Sequence, residues 1–332
     1  MKRLNALFCS TCSWNPGIEW IELGARNLFR RLCGIPGLEW RVHESARSSV
    51  RPASAREAPQ PPHQGNSVTH ADVVVAAGTP EWSGSQFRVL LDLREAGKFT
   101  WLFLGVDHSE KDLRLTPAEC AALSGATMLT RSPFAYNALK DVGFESRLLP
   151  CPSLFASEWE DPPRRFGSLA VVWEADCAFH GRQPPWLGRA MQRSIAQLRQ
   201  EYEVHLLYRS IAQSLEMAAD WPRDRLYCPD SSALLSSMSQ CDVIATNSVH
   251  AAFAAASLLK PAILVTGDAQ PSSAAALFPY LPSSSPGELL DHLRRIDIEA
   301  LPRSLLNWKR DVETQYLEIL SAWIHNHGFH LV

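Results

Sequence analysis

At 332 residues the chain is longer than one hydrophobic core usually serves, so two domains of ordinary size are expected. A hydrophobic share of 46% against 20% charged residues excludes a disordered chain, and a formal net charge of -3 excludes a global basic field that would gather nucleic acid. Lys2 and Arg3 precede an apolar stretch that Asn5 interrupts, and no run approaches the roughly 20 apolar residues a membrane span needs, so a cytoplasmic protein is expected. The eight cysteines are scattered, several inside apolar runs, which suits reduced thiols without a disulfide framework. Cys9 and Cys12 form a C-x-x-C, but no second pair or clustered His completes a zinc site, and they are read as loop thiols.

Along the chain, short β-branched or aromatic runs alternate with amphipathic stretches of helical spacing, the pattern of repeated βα units around a parallel sheet. In the first half the spacing predicts strands at 4–8, 40–43, 72–76, 99–104, 126–130 and 147–149. Helices are predicted at 18–33, 86–96, 117–124 and 133–142, the last stopped by Gly143. Residues 45–66 are rich in Pro, Ser, Ala and Arg without periodicity and read as a mobile surface loop. A Pro-rich break at 150–163 precedes a second series, with strands at 169–173, 203–208, 225–228, 242–245 and 262–265. Its helices are predicted at 185–201, 211–219, 231–239, 249–259, 286–296 and 301–326. The expectation is an α/β chain of two Rossmann-like domains with parallel sheets, 1–155 and 164–332, the second carrying the long C-terminal helix.

Ligands of such sheets collect where strands pass into helix N-termini, so four turns matter. In the first, an apolar strand runs into Thr246, Asn247 and Ser248, and an Ala-rich helix follows with His250 in its first turn. Unpaired amides and the helix dipole favour an anion there; the alternative is an ordinary N-cap beside a partly buried neutral His. In the second, Gly78 permits close backbone approach while Thr79 and Trp82 are placed to hydrogen-bond or stack, unless this is a plain tight connection. The third holds Asn15 and Gly17 before a first helix with Glu19, without the spacing of a dinucleotide fingerprint. In the fourth, Arg131 follows a buried strand and precedes a helix start, suited either to clamp a carboxylate or phosphate or to answer a structural carboxylate.

In order and spacing, these segments resemble the polysaccharide pyruvyl transferase family. Residues 15–24 are similar to its N-x-G-D-E turn and helix, 72–80 to its second glycine-containing turn, 99–106 to its "lGvG" strand and 130–143 to its "vR…s…L…G" unit. Thr246-Asn-Ser-Val-His250 resembles the branch carrying T-[DN]-S-x-H-[GA], and residues 260–264 its "kP.i.i" strand. The resemblance covers most of the chain and implies two facing Rossmann-like domains, as in GT-B glycosyltransferases. It also implies transfer of a pyruvyl group from phosphoenolpyruvate to a sugar or sugar-bearing acceptor, with no cofactor beyond that donor; no carboxylate cluster in the sequence suggests a metal. In that chemistry His250 moves the proton and Arg131 holds the donor, with Ser248, Asn247 and Thr246 around the anion. Asn15, Gly17, Glu19, Gly78, Thr79 and Trp82 would then line the cleft. The chain departs from the family at Ser248, where Arg stands in the Arg-x-His triplet, and at Ile18, where an acidic residue follows the glycine.

Two other readings stand beside this one. A GT-B type glycosyltransferase would place a nucleotide-sugar diphosphate at the Ser248–His250 turn and needs a Glu for the ribose. After the last predicted strand, residues 267–285 offer only Asp268. A non-catalytic anion-binding relative is the third reading, raised by Ser248 and Ile18.

Overall fold

Five consecutive buried residues in Val73–Ala77, and four in Val243–Thr246, leave no polar face for solvent, which is the pattern of strands covered on both sides. The structure, a computed structural model, describes residues 4–10, 16–33, 40–44, 71–79, 98–107, 115–163, 165–173, 185–208, 225–228, 230–267 and 275–328. The helices expected at 86–96 and 211–219 and the loop expected at 45–66 lie outside them. The chain divides into two compact units, Met1–Pro152 with Thr314–Val332, and Ser153–Glu313.

In the first unit, strands β1 (Leu4–Ser10), β2 (Trp40–Glu44), β3 (Val73–Ala77), β4 (Thr100–Val106), β5 (Thr127–Thr130) and β6 (Glu145–Leu148) form a sheet of order β2-β1-β3-β4-β5-β6. Every pairing is parallel. Helices α1 (Pro16–Cys33), α2 (Pro117–Ala122) and α3 (Pro133–Asp141) belong to it. Helix α1 buries Trp20, Ile21, Leu28 and Phe29, and Phe29 meets Phe8 of β1 edge to face with ring centroids 5.2 Å apart.

The second unit repeats the plan with β7 (Ser168–Val172), β8 (Glu203–Tyr208), β9 (Arg225–Tyr227), β10 (Val243–Thr246), β11 (Ala262–Val265) and β12 (Ser283–Ser284). Its order is β12-β11-β10-β7-β8-β9, again wholly parallel. Its helices are α4 (Pro185–Leu198), α5 (Ser231–Ser239), α6 (Val249–Ser257) and α7 (Leu289–Arg294). Counted from β1 and from β7, the orders are 2-1-3-4-5-6 and 3-2-1-4-5-6, the two common patterns of doubly wound sheets. The chain direction therefore reverses between β1 and β3 in one unit and between β7 and β10 in the other.

An Asp just before the strand beyond each reversal pins the amino end of its neighbour. Asp72 accepts from the amide and side-chain amide of Asn5 at 3.0 and 3.2 Å. Asp242 accepts from the Gly167 and Ser168 amides at 3.0 and 2.8 Å and from the Ser168 hydroxyl at 2.8 Å. Burial alone would raise the Asp242 carboxyl, but the bonds from Gly167 and Ser168 outweigh it and hold the group below its ordinary value. A depressed carboxyl contributes stability that is present above its unfolded pKa of about 4 and lost as pH falls through the folded value. The stability gap between the wild type and Asp242→Asn, read from urea midpoints, is therefore expected to be wide at pH 6 and to shrink at pH 3. A gap that stays constant would show that the charge is not what pins the strand.

Helix α8 (Ala300–Asn326) is continuous, yet its first part counts with the second unit and its last part with the first, whereas the sequence placed all of it in the second domain. Within the first unit the Tyr316 hydroxyl donates to the Pro150 carbonyl at 2.7 Å, and Trp323 Nε1 donates to Thr127 Oγ1 at 3.0 Å. The Pro-rich stretch 150–163 is no loose linker. Pro152–Phe155 forms a 3-10 turn with Ser153, Leu154 and Phe155 buried. Beyond it, in the second unit, Ser157 and Asp161 donate their amides to Ser257 Oγ and the Leu258 carbonyl. There Lys260 pairs with Asp161 at 3.1 Å, and Lys309 donates to the Ser257 carbonyl at 2.8 Å.

Candidate functional site

Strand β10 ends at Thr246 beside β7, where the second sheet reverses direction, and the chain turns there into α6. Thr246 Oγ1 accepts the Ser248 amide at 3.0 Å, which folds the Thr-Asn-Ser turn back on its own strand. Thr246, Asn247 and Ser248 are all buried. Ser248 is the N-cap of α6, in extended conformation, but its side chain makes no cap hydrogen bond. Thr116, Ser132 and Asp230, which cap α2, α3 and α5, each accept from an amide in the first turn. Every other residue of Val249–Ser257 is buried, and His250 in the first turn is only partly so. The sequence reading brought these four residues together, and the structure places them on one turn.

The first unit carries a second constellation. Gly78, with φ +94°, leaves β3 in the left-handed region that glycine tolerates, and its amide reaches the Leu104 carbonyl at 2.8 Å. Thr79 is buried, and its Oγ1 accepts the Asp107 amide at 2.8 Å. Asp107 in turn accepts from the Ser132 hydroxyl at 2.5 Å and faces Arg131 Nη2 at 3.1 Å. Arg131 is 4% exposed, with the buried Asp107 carboxylate beside its guanidinium. Glu19 stands in the first turn of α1, partly exposed, and Gly17 is the second residue of that helix. Asn15 and Trp82 lie outside the described residues.

Asp107 is the residue that sequence reasoning passed over, because the strand was expected to stop at 104. A bulge between Leu104 and Val106 carries β4 further and turns Asp107 toward β5. Gly105 makes this possible with φ +73°. A Cβ there would lie 2.8 Å from Ile21 Cγ2, closer than real Cβ contacts come, and a tight 3.0 Å from Pro152 Cδ. Glu288 was missed for a similar reason: it follows β12, a two-residue strand of serines with no apolar run to signal it. The Ser285 hydroxyl at 2.8 Å and then its amide hold the Glu288 carboxyl below its ordinary value, so an ionised carboxylate stands after the last strand. The Cys9 thiol sits on β1, not in a loop; burial and then Glu22 push it up to about 12, which keeps it protonated. Among the described residues, no group of three His, Cys, Asp or Glu is placed to hold a metal ion, and no helix is long and apolar enough to cross a membrane.

No protein-family model matches the chain, and no curated protein matches it in sequence. Solved structures do resemble it. S. aureus MnaA in complex with UDP is 13% identical, with a TM-score of 0.51 over 92% of this chain and 91% of that one. A UDP-N-acetylglucosamine 2-epimerase is 12% identical, with a TM-score of 0.54 over 99% and 98%. The UDP-GlcNAc 2-epimerase from Neisseria meningitidis bound to UDP-GlcNAc is 10% identical, with a TM-score of 0.50 over 95% and 94%. At such identities the likeness shows the fold, two Rossmann-like domains with parallel sheets of the GT-B-like class. It is not specific to the polysaccharide pyruvyl transferase family.

Proposed function

We propose that the chain is a GT-B type enzyme that binds a nucleotide sugar, with the diphosphate at the N-terminus of α6, and moves the glycosyl group to a sugar-bearing acceptor. The observation that carries this reading is the Thr246–His250 turn at the point of strand reversal. None of its residues is a Lys or Arg, its N-cap hydroxyl is not spent on capping, and its one His is partly exposed. First-turn amides and the positive end of the helix dipole suit a diphosphate without needing an Arg at position 248. As the glycosyl bond breaks, charge develops on the leaving diphosphate, and a donor at His250 would be worth more in that state than in the bound substrate. Glu288 supplies the carboxylate that ribose hydroxyls require. The strand it follows, β12, is separated from β10 by β11 alone, or roughly 10 Å at ordinary strand spacing. Folded structures similar to this chain include ones described with UDP and with UDP-GlcNAc, which supports the same donor class.

Pyruvyl transfer from phosphoenolpyruvate asks for a cationic clamp. The residue assigned that task, Arg131, is buried against Asp107, and Ser248 brings no charge, so the nucleotide-sugar reading fits the site better. Thermal unfolding with UDP, UDP-GlcNAc and phosphoenolpyruvate, each at the same millimolar concentration, tests the choice. The expected result is a rise of several degrees with the two uridine ligands, since ligand at 100 times Kd adds about 2.7 kcal/mol, and little change with phosphoenolpyruvate. The reverse pattern would return the assignment to pyruvyl transfer. Binding of UDP-GlcNAc without release of UDP in the presence of any sugar acceptor would point to the non-catalytic relative.

A further inference from the structure

Among the described residues four large hydrophobic side chains are exposed, namely Val142, Trp159, Trp186 and Leu226. Val142 caps the C-terminal end of α3, and Leu226 lies on the edge strand β9. Trp159 belongs to the segment tied to the C-terminal end of α6, the end of the second sheet away from the Thr246–His250 turn. Leu226 is level with Thr246 through Leu207 and Val172, but lies three strands from β10; Trp186 stands at the same end on α4, next to β7 and β10.

Its position follows from the packing of α4. Leu187, Met191, Ile195 and Leu198 form one buried stripe, which packs with Leu169, Val171 and Trp173 along β7 and with Val243 and Ala245 of β10. Helix α4 ends where Tyr202 bonds back to Leu198 and β8 begins, so its N-terminus lies at the carboxyl ends of the strands. Trp186 sits in that first turn, one residue before Leu187, with 45% of its surface exposed. Helix α6 packs on β10 and β11, yet none of its residues joins the cluster built by α4, so the two helices cover opposite faces of the sheet. The N-terminal ends of α4 and α6 thus lie at the carboxyl ends of β7 and β10, one on each face of the sheet.

Resting on the nucleotide reading above, we infer that Trp186 is the stacking platform for the base of the nucleoside diphosphate whose phosphates lie at the α6 turn. A half-exposed indole offers a flat apolar face, and the flat apolar part of such a ligand is its base. The platform tolerates any base, so hydrogen-bonding groups elsewhere would set the choice among nucleotides.

Calorimetric titration of the wild-type protein, Trp186→Ala and Trp186→Phe with UDP, inorganic pyrophosphate and N-acetylglucosamine 1-phosphate tests this. Trp186→Ala is expected to weaken UDP binding roughly 5- to 150-fold, the range for one base–aromatic stack, and to leave pyrophosphate binding unchanged. Trp186→Phe is expected to keep most of the UDP affinity while losing part of the fluorescence quench that UDP causes in the wild type. UDP binding by Trp186→Ala at wild-type strength would overturn the inference and leave the nucleotide reading standing. So would a loss that falls on N-acetylglucosamine 1-phosphate, or equally on pyrophosphate. A wild-type protein that binds pyrophosphate but not UDP would overturn both.

Discussion

Asp107→Ala is expected to destabilise the first unit by about 3–5 kcal/mol, the range for removing one partner of a buried ion pair. Arg131 would remain 4% exposed at the end of β5 with its 3.1 Å counter-charge gone, and the guanidinium cannot shed its proton to escape the cost. The Ser132 hydroxyl, which both donates to Asp107 at 2.5 Å and caps α3 through the Ala135 amide at 3.2 Å, would lose its acceptor as well. The Thr79 bond survives, because there Asp107 contributes its amide and not its side chain. Urea unfolding of Asp107→Ala, Arg131→Ala and the double variant checks the coupling. The double variant is expected to cost clearly less than the sum of the singles, since each charge compensates the burial of the other. Additive losses would mean that the two residues are stabilised independently.

The same pair shows what the sequence could and could not convey. Runs such as Val73–Ala77 and Ala262–Val265 are buried on both faces, and hydrophobicity alone marks strands of that kind. The parallel sheets, the two domains and the strand-to-helix turns followed from those runs and from their alternation with amphipathic helices. Arg131 was legible as a fixed cation beside a helix start. Its partner was not, because Asp107 reaches it only through the register of β4 on β5 and the bulge at Gly105. Nor was β12, whose two serines are a strand only because Leu264 and Val265 pair with them. Proline in 150–163 signalled a constrained backbone, and a constrained backbone is as compatible with a buried 3-10 turn as with an exposed linker. Trp186 carried a signal that periodicity could have used, since it falls one residue before the apolar stripe of α4 and so off its buried face.

The turn at the end of β10 was read most fully, and it carries the second large expected effect. His250→Ala is expected to lower turnover of a UDP-sugar, read as UDP release, roughly 10²–10⁴-fold, the range for losing a group that donates or moves a proton in the transition state. Affinity for UDP should fall much less, because the first-turn amides of α6 and the dipole behind them remain. Stability should hardly change. Residue 250 is the one position of Val249–Ser257 that is not buried, and alanine is the best helix former to put there. Phe253→Ala, three residues along the same helix, is the control: that ring is fully buried and packs 4.9 Å from Phe278, so its removal should cost about 3–5 kcal/mol. Thermal unfolding of the two variants beside their kinetics separates the roles. A His250→Ala protein that melts as early as Phe253→Ala would make the imidazole a packing element of α6. One that folds normally and releases UDP at the wild-type rate would remove His250 from the chemistry altogether.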